Sequence, residues 1–252
     1  MAIIYKHCGQ TLFRDLKPQV FTCQSCGAEY EIFSDEISLK NHRCNSCGAR
    51  IIEVALLKNE AYKDLMQYAR SLGASEARMF GVERIRIDEN FRSLCEKPRC
   101  RNFGKTINCP PHSMMPREFK EYLNSFMYVL AFKFEFPLDM LIGAERLIKL
   151  RLLHDTTVNI ENHAKSIGFE RARGFSGGSC IRTYCSEFDD CAALEKNGEC
   201  RFPDKARPSL SGFGVNWHEL SKTLGWQMLK DQDGNPNPKS ETVMISGLVL
   251  VE

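Results

Sequence analysis

Apolar and polar positions are distributed unevenly along the chain. Residues 1–50 read as short strands and turns around paired cysteines, with too few apolar positions to build a core. After residue 50 the pattern lengthens. Residues 51–57 read as a strand or a lead-in segment. Over residues 59–72, Ala61, Leu65, Met66, Ala69 and Leu72 share one helical face, and Gly73 suits the position just past the helix end. Residues 76–88 give one or two strands, in which Arg84, Arg86 and Asp88 alternate with Ile85 and Ile87. Pro116 can open a helix running to about Phe126. A strand follows over 127–136, with Leu130, Phe132, Phe134 and Phe136 alternating, and then mostly one long amphipathic helix over 138–167, stopped at Gly168. Residues 216–224 read as a short helix. Segments 226–230 and 242–251 read as a closing hairpin around a polar loop containing Asp233-Gly234. The expected fold is α+β or α/β: a mixed sheet with flanking helices and two cysteine-rich metal loops, plus a small N-terminal zinc ribbon. The expected domains are 1–50 and 51–252.

Composition changes this picture at one point. Of 252 residues, 43% are hydrophobic and 26% charged, which is ordinary, and a net charge of +2 gives no general pull toward nucleic acid or anionic membranes. Twelve cysteines are not ordinary. No apolar run reaches the ~18 residues of a membrane span, and the N-terminal apolar run is too short for a secretory signal. The expectation is a cytoplasmic, reducing setting in which cysteines hold metal instead of forming disulfides.

The spacing supports this. Cys23-Gln-Ser-Cys26-Gly27 and Cys44-Asn-Ser-Cys47-Gly48 are two copies of one knuckle. Two such knuckles supply four thiolates in a tetrahedron, the arrangement of a closed structural zinc site. Cys8, His7 and His42 are spare donors nearby. A second group, Cys95, Cys100 and Cys109-Pro110-Pro111, has wider spacing, and so does a third, Cys180, Cys185, Cys191 and Cys200. Wide, irregular spacing suits an iron–sulfur cluster better than a zinc ion, and a proline directly after a ligand cysteine also occurs in ferredoxin runs. The third group supplies four cysteines alone. The second supplies three, so a fourth ligand comes from elsewhere, with His112 and Cys8 as candidates, or one iron stays open. A single composite site using both groups is the alternative. Seven Lys or Arg (84, 86, 92, 97, 99, 101, 105) lie around the second group, either to stabilise an anionic centre or as a solvated basic face. Only Phe91 and Phe103 interleave them, which does not favour nucleic acid. Gly174-Phe-Ser-Gly177-Gly178-Ser-Cys180 is neither a P-loop nor a dinucleotide fingerprint, and its glycines suit close backbone approach to a metal at Cys180.

The stretches Cys95…Pro98-Arg-Cys100…Gly104-Lys…Cys109-Pro-Pro and Gly177-Gly-Ser-Cys180…Cys185…Cys191…Cys200-Arg-Phe-Pro…Arg207-Pro-Ser-Leu…Gly214-Val resemble domain-of-unknown-function family 2284, the predicted metal-binding proteins of anaerobic bacteria and archaea. The resemblance covers roughly residues 55–230. It implies cysteine-bound metal, with iron–sulfur first, and supplies no reaction. Three functions follow as expectations. The first is an electron-transfer or redox accessory protein of anaerobic metabolism, with one or two 4Fe–4S clusters, a zinc ion and a redox protein partner. The second is an enzyme using an open iron on the three-cysteine site to activate a small substrate. The third is a zinc-only adaptor for protein or nucleic acid.

Overall fold

The computed structural model describes residues 4–7, 10–13, 18–22, 26–33, 43–48, 60–96, 100–143, 145–226 and 242–252. The chain divides into two compact units, residues 1–63 and 64–252. The segments expected as a strand at 51–57 and as the first arm of a hairpin at 227–230 lie outside the described residues, as do Cys8, Cys23 and His42.

The first unit contains two antiparallel strand pairs. β1 (Ile4–His7) pairs with β2 (Gln10–Phe13), and β3 (Pro18–Thr22) with β4 (Glu29–Phe33). Cys26 lies in the turn between β3 and β4, and Cys44 to Cys47 form a second turn. That turn is closed by the Gly48 N–H donating to the Cys44 carbonyl at 2.8 Å. Gly27 and Gly48 both take positive φ, 74° and 71°, a conformation that glycine adopts without steric cost.

The boundary between the units falls within helix α1 (Glu60–Ser71). In the second unit a four-stranded sheet is built from β5 (Glu76–Gly81), β6 (Tyr128–Pro137), β7 (Arg173–Phe175) and β8 (Thr242–Val251). Its order is β5-β6-β8-β7, and every pairing is antiparallel. The expected mixed sheet is therefore corrected to an antiparallel one, and the α+β alternative holds. The reason is topological: β8 inserts between β6 and β7, so no two neighbouring strands are joined by the right-handed crossover that a parallel pair requires. The second arm of the expected closing hairpin is β8, which pairs along its length with β6; Trp226, at the start of the expected first arm, is in no strand.

β6 is buried over its first seven residues because both faces of the sheet are covered. On one face Phe80, Val129, Ala131, Leu248 and Leu250 join Phe119 and Leu123 of α3 (Pro116–Leu123) and Leu220 of α7 (Trp217–Thr223) in the main core. On the other face lies α5 (Arg146–Ser166), whose Thr157 and Glu161 stand so close to Gly174 that an added Cβ there would meet them at 2.7 and 2.8 Å. The long helix expected over 138–167 is two helices. α4 (Leu138–Ile142) stops at Gly143, which adopts an extended backbone (φ −86°, ψ −165°), and α5 then starts afresh. Among the described residues no helix is long and apolar enough to cross a membrane.

Two long loops leave the sheet. The first, 82–115, contains α2 (Glu89–Ser93), capped by the Asp88 carboxylate, which accepts from the Asn90 N–H at 2.9 Å. The second, 176–215, contains α6 (Cys180–Tyr184). They are stitched together: the Asp88 N–H donates to the Gly214 carbonyl at 2.7 Å and the Asn216 N–H to the Arg86 carbonyl at 2.9 Å.

Candidate metal centres

In the first unit Cys26, Cys44 and Cys47 bring their sulfurs within 4.8 Å of one another. Cys26 Sγ and Cys44 Sγ are 3.7 Å apart. Four sulfurs at about 2.3 Å from a central zinc stand roughly 3.8 Å from each other in a tetrahedron, so this spacing fits a single ion. Cys44 is buried, while Cys26 and Cys47 are exposed. The expected fourth member, Cys23, lies outside the described residues. Tight turns explain the convergence, since each left-handed glycine reverses the chain just past its cysteine.

The second unit places the two cysteine loops face to face. Cys109 Sγ is 3.3 Å from Ser179 Oγ. Cys180 Sγ is approached by Thr106 Oγ1 and by the Asn108 side-chain amide, both at 3.4 Å. Cys180, Cys185, Cys191 and Cys200 line one small cavity together with Thr106 and Asn108 of the other loop. None of the seven loop cysteines is in a disulfide. Among the described residues no three of these seven sulfurs crowd together as closely as the N-terminal trio.

Local structure explains this placement. Cys95 ends the turn after α2, its N–H donating to the Arg92 carbonyl at 2.9 Å. Cys109 is held by the Thr106 carbonyl, which accepts from its N–H at 3.1 Å, and its own carbonyl accepts from the N–H groups of His112 and Ser113, each at 3.0 Å. The Pro110–Pro111 peptide is cis. Cys180 opens α6, which three contacts tie to α5. Arg151 donates to the Thr183 carbonyl at 2.6 Å, the Tyr184 hydroxyl donates to Asp155 Oδ1 at 2.7 Å, and the Tyr184 ring meets His154 edge-on at 5.7 Å. Cys200 Sγ accepts from the Phe202 N–H at 3.4 Å. A Cβ on Gly177 would press on Leu153 and one on Gly178 on Leu150, so these glycines let the loop approach α5.

The sulfurs form one electrostatic neighbourhood. Burial pushes the Cys109 thiol up to about 12, and nearby Cys180, Cys100 and Cys95 push the same way against the Ser179 hydrogen bond. Burial likewise raises Cys180, opposed by Thr106 and Asn108 and reinforced by Cys191 and Cys200. Cys185 is raised by burial and by Cys180, Cys200 and Cys191, with Arg201 opposing. Cys95 is raised by burial and by Cys100, with Arg92 opposing. Thiols crowded in this way resist ionising together, and a multivalent cation relieves that repulsion by replacing their protons.

Charge around the first loop is not uniform. Arg92 is buried, contrary to a solvated basic face, and its guanidinium donates to the Pro111, Ser113, Met114 and Gly212 carbonyls and to Ser113 Oγ. No carboxylate among the described residues pairs with it. Thr106, Asn108 and Ser179 are the residues that sequence spacing alone does not single out for the site. Their partners lie as many as 74 positions away. His112, a candidate fourth ligand, is exposed on the rim of an open cleft.

No curated protein and no solved structure matches the chain. One family model does, over residues 78–251, a span that holds all seven loop cysteines and excludes the N-terminal trio. With its paired cysteine loops inside that span, the chain belongs to the family described as predicted metal-binding protein (DUF2284).

Proposed function

We propose that the chain is an iron–sulfur redox accessory protein of anaerobic metabolism. In this reading Cys180, Cys185, Cys191 and Cys200 hold one cluster, Cys95, Cys100 and Cys109 hold a second, and Cys26, Cys44 and Cys47 hold a structural zinc with Cys23. One observation carries it: the chain contains two kinds of sulfur arrangement. The N-terminal trio has single-ion spacing, whereas Cys180, Cys185, Cys191 and Cys200 line one cavity without closing to that spacing, and Cys109 reaches their loop at Ser179. A group several atoms across needs the wider frame. When bound, an iron–sulfur cluster supplies one-electron transfer. The protein's own part is to hold the sulfurs, to surround them with donors from Thr106, Asn108 and Ser179, and to bury the positive charge of Arg92 beside them. Leu94, Ile107, Phe188 and Leu194 are exposed on the same two loops, which suits the docking of a redox partner.

A second reading is an enzyme, in which three cysteines leave one coordination position to a small substrate. It is favoured by the open cleft that adjoins Asn108. One preparation tests the main reading. Protein purified without oxygen should be brown, absorb near 400 nm, and contain iron, sulfide and zinc. Cys185→Ala should lose about one cluster's worth of iron and keep its zinc. A colourless protein containing zinc alone would leave the adaptor role instead.

A further inference from the structure

Beside the sulfur loops lies an open cleft of about 440 Å³. That size falls within the roughly 300–1,000 Å³ of small-molecule sites. Ile107 and Met114, both exposed, and the half-buried Tyr122 ring form its apolar side, above the buried core rings of Phe119, Phe175 and Phe213. Arg173, Tyr122 and Asn108 supply the polar side.

Arg173 is the informative residue. It is half-buried at the sheet edge, and among the described residues no carboxylate or carbonyl accepts from its guanidinium. Its neighbours differ. Arg171 has Glu252 at 3.9 Å, and Arg207 holds Glu161 at 2.7 Å. Glu161 is already engaged by Arg207, Lys165 and the Gly174 N–H. The cleft therefore presents an uncompensated cation beside the Tyr122 ring, Ile107 and Met114. A half-buried guanidinium favours an anion, and its planar fork matches a carboxylate. The apolar lining favours an organic body over bare phosphate or sulfate. The position matters as well. Asn108, which lines this cleft, donates its side-chain amide to Cys180 Sγ and so also lines the cavity of the four cysteines.

We propose that this cleft binds a small organic carboxylate with an apolar body, anchored on Arg173 and seated against the Tyr122 ring, Ile107 and Met114. The bound molecule then lies one side chain, Asn108, from the sulfur centre. The proposal deepens the enzyme reading by naming the substrate class, but binding in the cleft is read independently of the iron count.

The test is a fluorine NMR titration of the full, metal-loaded chain, kept anaerobic, with 4-fluorobenzoate as the probe. Saturable binding is expected, and 4-fluorobenzyl alcohol should bind at least about tenfold more weakly because it lacks the charge-assisted contact. Arg173→Gln should weaken the acid by about the same factor and leave the alcohol unchanged, while Arg173→Lys should restore part of the loss. No saturable binding of the acid, equal affinity for acid and alcohol, or an acid affinity untouched by Arg173→Gln would each overturn the proposal. Should Arg173→Gln misfold, the comparison of acid with alcohol on the unaltered protein decides alone.

Discussion

Two buried arginines, Arg92 and Arg207, find their hydrogen-bond partners by different means. Arg207 meets Glu161 in a two-pronged contact at 2.7 and 3.2 Å, and Glu161, 1% exposed, also accepts from Lys165 and the Gly174 N–H. Burial alone would raise the Glu161 carboxyl, but these donors outweigh it and hold the group below its ordinary range. Its contribution to stability is therefore complete above the unfolded value of about 4.3 and is lost as pH falls through the lower folded value. Glu161→Gln leaves Arg207 buried without its counter-charge and should cost about 3–5 kcal/mol in urea unfolding at neutral pH. A loss under 1 kcal/mol would show that the pair is not what anchors the second loop. His154 titrates in the opposite sense. It is fully buried, and its folded value falls to about 4, chiefly through burial and against the pull of Asp155 and of the Gly177 backbone. Its neutral form stabilises the fold above the unfolded value near 6.5, and that stabilisation drains away as pH falls toward the folded value. His154→Leu should therefore flatten the fall in stability between pH 6.5 and 4 by on the order of 3 kcal/mol. Identical pH profiles for the two proteins would refute this. Arg92 uses carbonyls in place of a carboxylate and so keeps its positive charge uncancelled beside the first sulfur loop.

At the scale of elements, features set by local chemistry were legible and features set by distant pairing were not. The apolar face of Leu65 and Ala69 and the stop at Gly73 mark α1, Pro116 marks the start of α3, and the run through Phe132 and Phe134 marks β6. The partners of β8 left no local trace, because its register with β6, Tyr128 against Val251 and Pro137 against Thr242, joins segments over a hundred residues apart. The break at Gly143 was hidden because the apolar period runs on through both helices. In the same way the clustered cysteines announce two cysteine loops, while the donors between the loops, Thr106, Asn108 and Ser179, are ordinary polar residues until the fold brings them to sulfur. Gly247 shows what the central position of β8 demands. A Cβ there would lie 2.7 Å from the Phe132 ring and 3.0 Å from Thr157 Oγ1. Gly247→Ala should lower stability by about 1–3 kcal/mol, read as a fall in Tm with secondary structure unchanged. An unchanged Tm would mean that the ring moves aside at no cost.

For the whole molecule, the two kinds of sulfur site draw on different lengths of chain. The N-terminal trio is complete within 22 positions of sequence, Cys26 to Cys47. The facing loops need the sheet of the second unit to hold them, for Cys109 meets Ser179 across 70 positions and the second loop hangs from β7, which reaches the sheet only through β8. On the proposed assignment, a chain ended before Thr242 should keep zinc and fail to retain iron. Full iron retention in that truncation would show that the loops close without β8. The insertion of β8 between two earlier strands thus sets a timetable. As the ribosome releases the chain, the N-terminal knuckles can capture their ion while most of the protein is still unmade. The seven later thiols emerge long before the strand that gathers them, so whatever delivers their metal must wait until synthesis has passed β8 or shield those thiols until then.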